Sequence, residues 1–171
     1  ARQDAAAPDP RRVALLAQEE AFSKGVTSFQ DAGASFATVD LYKEMVDDGS
    51  LKIRIYTMIR ESFTSLAENL EAYRTIGYGD NRLTVRSIKM AIDGALGSHG
   101  AWLLAPYNDL PSSSGLNTTP LETIQSTARL AMTYGYQFNV HAIGDRGNRE
   151  TLDIFEEAYA AAGDGDYRWR I

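Results

Sequence analysis

The chain has 171 residues, of which 44% are hydrophobic and 23% charged, enough to build one domain around a real core. A formal net charge of -6 with no basic stripe argues against nucleic acid or an anionic membrane as the main partner. The absence of cysteine removes disulfide and thiolate chemistry, so any metal must be held by nitrogen and oxygen ligands.

The opening ARQDAAAPDPRR lacks the apolar core of a signal peptide, and no stretch approaches the ~20 apolar residues of a membrane span. The sequence fixes no compartment. RRVALLAQEEAFSK, with Val13, Leu16 and Ala17 near one face, predicts a helix ending at Gly25. GVTSFQDAG predicts a strand over Val26 to Gln30, closed by Asp31 and Gly33. SFATVDLYKEMVDDG predicts a second helix, and LKIRIYTMI, rich in β-branched residues, a second strand. SFTSLAENLEAY carries a helical stripe through Phe63, Leu66, Ala67 and Leu70. RLTVRSIKMAIDG is the next strand with its exit. Gly94 to Pro120 then forms an irregular stretch far beyond the usual ~4–6 residues of a connection. Helix PLETIQSTARLAMTY, strand YQFNVH, helix RETLDIFEEAYAAAG and a last strand YRWRI complete the order.

Five strand–helix alternations make the class α/β, with parallel neighbours joined by right-handed crossovers. Two architectures fit: an open doubly wound sheet, and part of a (β/α)8 barrel, which usually needs ~250 residues when complete. Asp31, Lys89, Asp93 and His141 all fall at or just past predicted strand ends, where a barrel assembles its chemistry, and no glycine-rich phosphate loop supports a nucleotide site.

Lys89 sits in a predicted interior strand, where an ammonium is costly to desolvate without a partner. It can point to solvent or pair with Asp93. As a neutral amine it can instead form a Schiff base with a carbonyl substrate, or take up carbon dioxide to give a metal-bridging carbamate. His141 can simply close its strand, hydrogen-bonded to backbone or to Asp145. It can also ligate a metal through one ring nitrogen while a second group holds the other.

IKMAIDGALGSHGAWL, the long loop after it and NVHAIGDRGNRETLDIFEEA together resemble the amidohydrolase superfamily, in its YtcJ-like branch related to N-substituted formamide deformylases. GVTSFQDAG fits the same order, and the resemblance spans almost the whole chain. It implies a metal-dependent hydrolase on a (β/α)8 barrel, acting on an amide-type C–N bond of a small molecule through a metal-activated water. It further implies one or two divalent ions, zinc being expected, held in part by a carboxylated Lys89 and by His141. Asp93, His99, Trp102, Asp145 and Arg146 are the expected substrate-side residues, with Leu103 and Tyr107 helping to wall an apolar pocket.

The family's H-x-H from the first strand is absent, as are its later histidine and aspartate. The chain is therefore expected to be an internal segment covering about strands 2 to 6, with an incomplete metal site, no nameable general base and no activity alone. Exposed sheet edges would favour a homo-oligomer. In this chain alone Gly94 to Pro120 is expected to be poorly ordered or held by a neighbouring copy, with Ser112 to Thr119 exchanging rapidly. Two other readings remain open here: a structural or interaction module without stoichiometric metal, and a Schiff-base lyase using Lys89.

Overall fold

The computed structural model describes residues 8–171. Its helices start where short polar side chains can receive the free backbone N–H groups of a first turn. Asp9, followed by Pro10, caps α1 (Pro10–Ser23), Ser35 caps α2 (Phe36–Asp47), and Ser62 caps α3 (Phe63–Tyr73). The remaining long helices are α5 (Leu121–Tyr134) and α6 (Asp145–Ala162). Between α3 and the following strand lie β3 (Thr75–Gly77) and a one-turn element, α4 (Tyr78–Asn81). In α4 Gly79, Asp80 and Asn81 all have positive φ, so the turn is left-handed.

The main strands are β1 (Ser28–Ala34), β2 (Arg54–Ile59), β4 (Leu83–Ala91) and β5 (Gln137–His141). They pair in parallel, β1 with β2, β2 with β4 and β4 with β5, while β3 joins β4 antiparallel at Thr75 and Val85. Arg170 continues the series by pairing in parallel with Asn139, its N–H donating to the Phe138 carbonyl at 3.0 Å. Each successive parallel strand is thus added beside the last, with none of the order reversal that defines a doubly wound sheet. This is the winding of part of a (β/α) barrel, and the sheet is an open arc that does not close.

The alternation of the strands gives the arc two different faces. Toward the helices, Leu83, Val85, Ile88 and Ile92 of the β4 segment and Phe138 and Val140 of β5 join one buried core. Val39, Leu66, Leu70, Ile124, Ala131, Ile154 and Phe155 complete it from α2, α3, α5 and α6. Trp169 packs edge-on against Phe138 at 5.6 Å and Phe155 at 5.0 Å, fastening the last residues to α6 and β5. The opposite face is polar. Arg170 Nε donates to Asn139 Oδ1 at 2.7 Å, Asn139 donates to Ser87, and the Tyr56 hydroxyl donates to Gln137. An open hollow of about 540 Å³ lies over this face, lined in part by Gln30, Tyr56, Arg86, Gln137 and Arg170.

Away from that face α1 is tied down by one buried amide. Gln18 Oε1 accepts the Lys52 and Ile53 N–H groups at 2.6 and 3.0 Å, and its Nε2 donates to the Ser50 carbonyl at 3.1 Å. Leu51 and Ile53 therefore pack with Met45 below α1, and the second strand begins later than its β-branched run suggests. The first strand is displaced too, running from Ser28 to Ala34, so Asp31 lies inside it. Among the described residues, no helix is long and apolar enough to cross a membrane.

Phe138 is fully buried between sheet and helices. Phe138→Ala is expected to lower unfolding stability by about 3–5 kcal/mol in urea titrations; a loss under about 1 kcal/mol would contradict this packing.

Candidate metal centre

The register places Lys89 opposite Asn139 and Ala91 opposite His141, so both candidate ligands lie at the C-terminal ends of adjacent strands. They also share a face: Asn139, which reaches Ser87 and Arg170, stands two residues before His141 and directly across from Lys89. The half-buried Lys89 ammonium is held below the ordinary lysine range, first by burial and then by the positive charge of Arg60. Its Nζ donates to the Met90 carbonyl at 3.0 Å, so it is not paired with Asp93.

Asp93 is instead an organiser. Its side chain is inaccessible to solvent, and its oxygens accept the N–H groups of Trp102 at 2.9 Å, Ile143 at 3.0 Å and Gly144 at 2.7 Å. Ile143 and Gly144 immediately precede α6, whose own N-cap has no side-chain hydrogen bond, so Asp93 secures the start of that helix from the segment just past β4. His141 Nε2 stands 3.8 Å from Asp93 Oδ1. That nitrogen faces the carboxylate, and the sequence-based choice of Asp145 as the histidine's neighbour gives way to Asp93. Asp145 Oδ1 accepts the N–H groups of Leu104 and Arg146, both at 2.9 Å.

Two glycines permit this junction. A Cβ at Gly147 would stand 2.9 Å from Asp93 Oδ2, and one at Gly144 would overlap the Trp102 carbonyl, which accepts the Gly147 N–H at 3.1 Å. Trp102 is thereby fixed by its backbone, and the Arg146 guanidinium covers its ring at 4.4 Å.

The long loop is internally bonded. Leu103 N–H donates to Ser114 O at 2.7 Å, Tyr107 N–H to Ser113 O at 2.9 Å, and Thr118 N–H to Ile92 O at 2.8 Å. Tyr107 is buried, its hydroxyl donating to Ala101 O at 2.8 Å, and so anchors the loop. His99 Nε2 lies 3.1 Å from Asp109 Oδ2, and the histidine ring meets Tyr107 edge-on at 4.7 Å beside an open hollow of about 440 Å³. The same contact with His99 holds the Asp109 carboxyl below the usual carboxylate range.

Asp31 is not part of this end of the sheet. It aligns with Thr57 and thence with Val85, four positions before Lys89, and accepts the Tyr42 hydroxyl from α2 at 2.8 Å. Sequence reasoning missed Arg60. Ile59 aligns with Ile88 on the helix-facing side, so the next residue of each strand, Arg60 and Lys89, projects from the polar face. The Arg60 stem passes beside Gly33.

Among the described residues, no group of three or more His, Cys, Asp or Glu side chains could hold a metal ion. The donor set on the polar face is an imidazole and an amine in its more readily neutralised state. These fit part of a coordination shell, to be completed by further ligands.

The sequence profile described as "Amidohydrolase family" matches residues 5–171. The chain is 35% identical over 173 residues to Protein LONG AFTER FAR-RED 3 of Arabidopsis thaliana, covering 95% of this chain and 30% of that protein. It is 26% identical over 146 residues to the putative amidohydrolase YtcJ of Bacillus subtilis, covering 81% and 26% respectively. The crystal structure of an uncharacterized metal-dependent hydrolase from Pyrococcus furiosus superposes with a TM-score of 0.74 at 30% identity, over 86% of this chain and 31% of that one. Its counterpart from Pyrococcus horikoshii gives 0.74 at 29% identity, over 86% and 30%. The chain therefore spans less than a third of the length of each.

Asp93→Ala removes the acceptor for three N–H groups and is expected to destabilise the protein by about 3 kcal/mol or more. Amide exchange at Trp102, Ile143 and Gly144 should accelerate together; unchanged exchange at all three would refute the shared anchor. Arg60→Gln should raise the Lys89 pKa while leaving it below the ordinary value, because burial is the larger cause. NMR titration of the lysine Nζ in metal-free, carbon dioxide-free buffer reads this, and an unchanged midpoint would contradict it.

Proposed function

The chain belongs to the amidohydrolase family, and from that membership we propose that it forms part of the catalytic barrel of a metal-dependent hydrolase acting on an amide-type C–N bond. The observation that carries the reading is the pairing of Lys89 and His141 at adjacent strand ends on one polar face. Their family setting and the structural neighbours called metal-dependent hydrolases support it.

Lys89 and His141 would hold the metal, zinc being our choice for nitrogen and oxygen ligands. Lys89 would do so as a carbamate formed from its neutral amine and carbon dioxide, with loss of a proton. A metal bound there would lower the pKa of a coordinated water and polarise the carbonyl under attack. The side chains of this chain prepare that site. Burial and Arg60 favour the neutral amine of Lys89, and Asp93 faces His141 Nε2, leaving Nδ1 as the ligating nitrogen. Asp93 also brings Trp102 and the start of α6 together, so that Trp102, Arg146 and Asp145 gather at the turn after His141, and His99 would be a further substrate-side residue. A small amide-type molecule is the proposed partner.

With two ligand-bearing side chains among the described residues, the 171-residue chain by itself is expected to bind metal weakly and to lack turnover. In the protein at its full length, Lys89→Ala and His141→Ala should each reduce bound metal and lower amide hydrolysis by more than about 100-fold. Metal analysis and assay of the same samples test this. Full metal content and full activity in either variant would remove that residue from the centre.

A further inference from the structure

The acids and bases around the candidate centre are not balanced. Asp93 is surrounded by three backbone N–H groups, Asp145 accepts two, and Glu61 Oε1 accepts the Phe36 N–H at 3.2 Å. Asp109 is engaged by His99, and Asp31 turns away to Tyr42. The carboxylates near this end of the sheet are thus committed to holding backbone or neighbouring side chains. The cations are less constrained. Arg146 lies on Trp102 and reaches Glu150 at 3.5 Å, whereas Arg60 has no salt bridge and no side-chain hydrogen bond among the described residues.

Arg60 is also well placed. The strand register sets it beside Lys89 on the polar face, and its exposed guanidinium rises past Gly33 at the strand ends. With the neighbouring carboxylates engaged by backbone or side-chain donors, the Arg60 guanidinium is, among the described residues, a cation left free to meet an anion at this end of the sheet.

We propose that Arg60 is a specificity-determining residue that binds the carboxylate of the substrate, so that the amides taken by this site are anionic. The inference rests on the hydrolase reading above and narrows its substrate class. A guanidinium can donate two parallel N–H bonds to a carboxylate, which orients the substrate as well as attracting it. The same chemistry could be met by a carbamate on Lys89, and the experiment separates the two sources.

Binding of N-butylsuccinamate and of its neutral counterpart N-butylsuccinamide is measured by calorimetry in the full-length metal-loaded protein, in Arg60→Gln and in Arg60→Lys. Metal content and the carbon-13 carbamate signal are recorded on the same samples. In buffer saturated with bicarbonate, which drives carbamate formation even where the Lys89 pKa has risen, the anionic probe should bind about tenfold or more tightly than the neutral one, Arg60→Gln should abolish the preference with metal and carbamate retained, and Arg60→Lys should retain part of it. Failure of the anionic probe to bind, no preference between probes, or a preference that survives Arg60→Gln overturns the inference. Loss of metal and carbamate in Arg60→Gln also overturns it and assigns Arg60 to the modified lysine. Retention of metal by Lys89→Ala and His141→Ala would instead overturn the metal-centre reading and leave the measured charge preference intact.

Discussion

A carboxyl group with no counter-cation is tolerated inside a protein when hydrogen-bond donors are aimed at both of its oxygens, and at Asp93 those donors come from two separate parts of the chain. Trp102 brings in the long loop after β4, while Ile143 and Gly144 bring in the turn from β5 into α6. These three N–H groups would otherwise be left without acceptors at the start of a helix or inside a loop. One side chain therefore fixes where the loop crosses, where α6 begins and which atom faces His141. The glycines at 144 and 147 are the steric counterpart, allowing the backbone of Trp102 to come as close as this anchor requires.

The arc of strands makes such an anchor useful. Its helix-facing side is closed by a continuous apolar core, so the side chains that alternate away from that core collect on one polar face. Lys89 and His141 reach that face from neighbouring strands, with the Asn139, Ser87 and Arg170 bonds one step nearer the strand starts. Rigid β-structure carries the candidate ligands and loops carry the groups around them. This is the division of labour expected of a barrel whose chemistry sits at its C-terminal end.

Much of this was legible in the sequence, for identifiable reasons. The stripe through Phe63, Leu66, Ala67 and Leu70 marks α3, and the alternation of strand and helix reveals the winding. Lys89 stands out as a charge inside an apolar strand, and His141 as a polar residue at the end of one. Partnerships across the fold were less accessible. Asp145 looked like the neighbour of His141 because it is four residues away, but direction in space gave that place to Asp93, forty-eight positions earlier in the chain. Local periodicity carries no information about which loop folds over which turn. The left-handed residues 79–81 have neither helical nor strand spacing, and Arg60 reads as an ordinary solvent-facing end of TMIR until the register places it beside Lys89. The order of the long loop comes from hydrogen bonds between its own distant residues and to Ile92, which composition does not encode.

The proposed centre requires Lys89 and His141 to face one metal ion across the polar face. Anomalous diffraction from crystals of the full-length, zinc-loaded protein measures this directly. The predicted result is a zinc peak about 2.0–2.2 Å from both His141 Nδ1 and an oxygen of carboxylated Lys89. A fully occupied zinc site coordinated by neither residue, or a peak bonded to His141 Nε2 with Asp93 displaced, would contradict it.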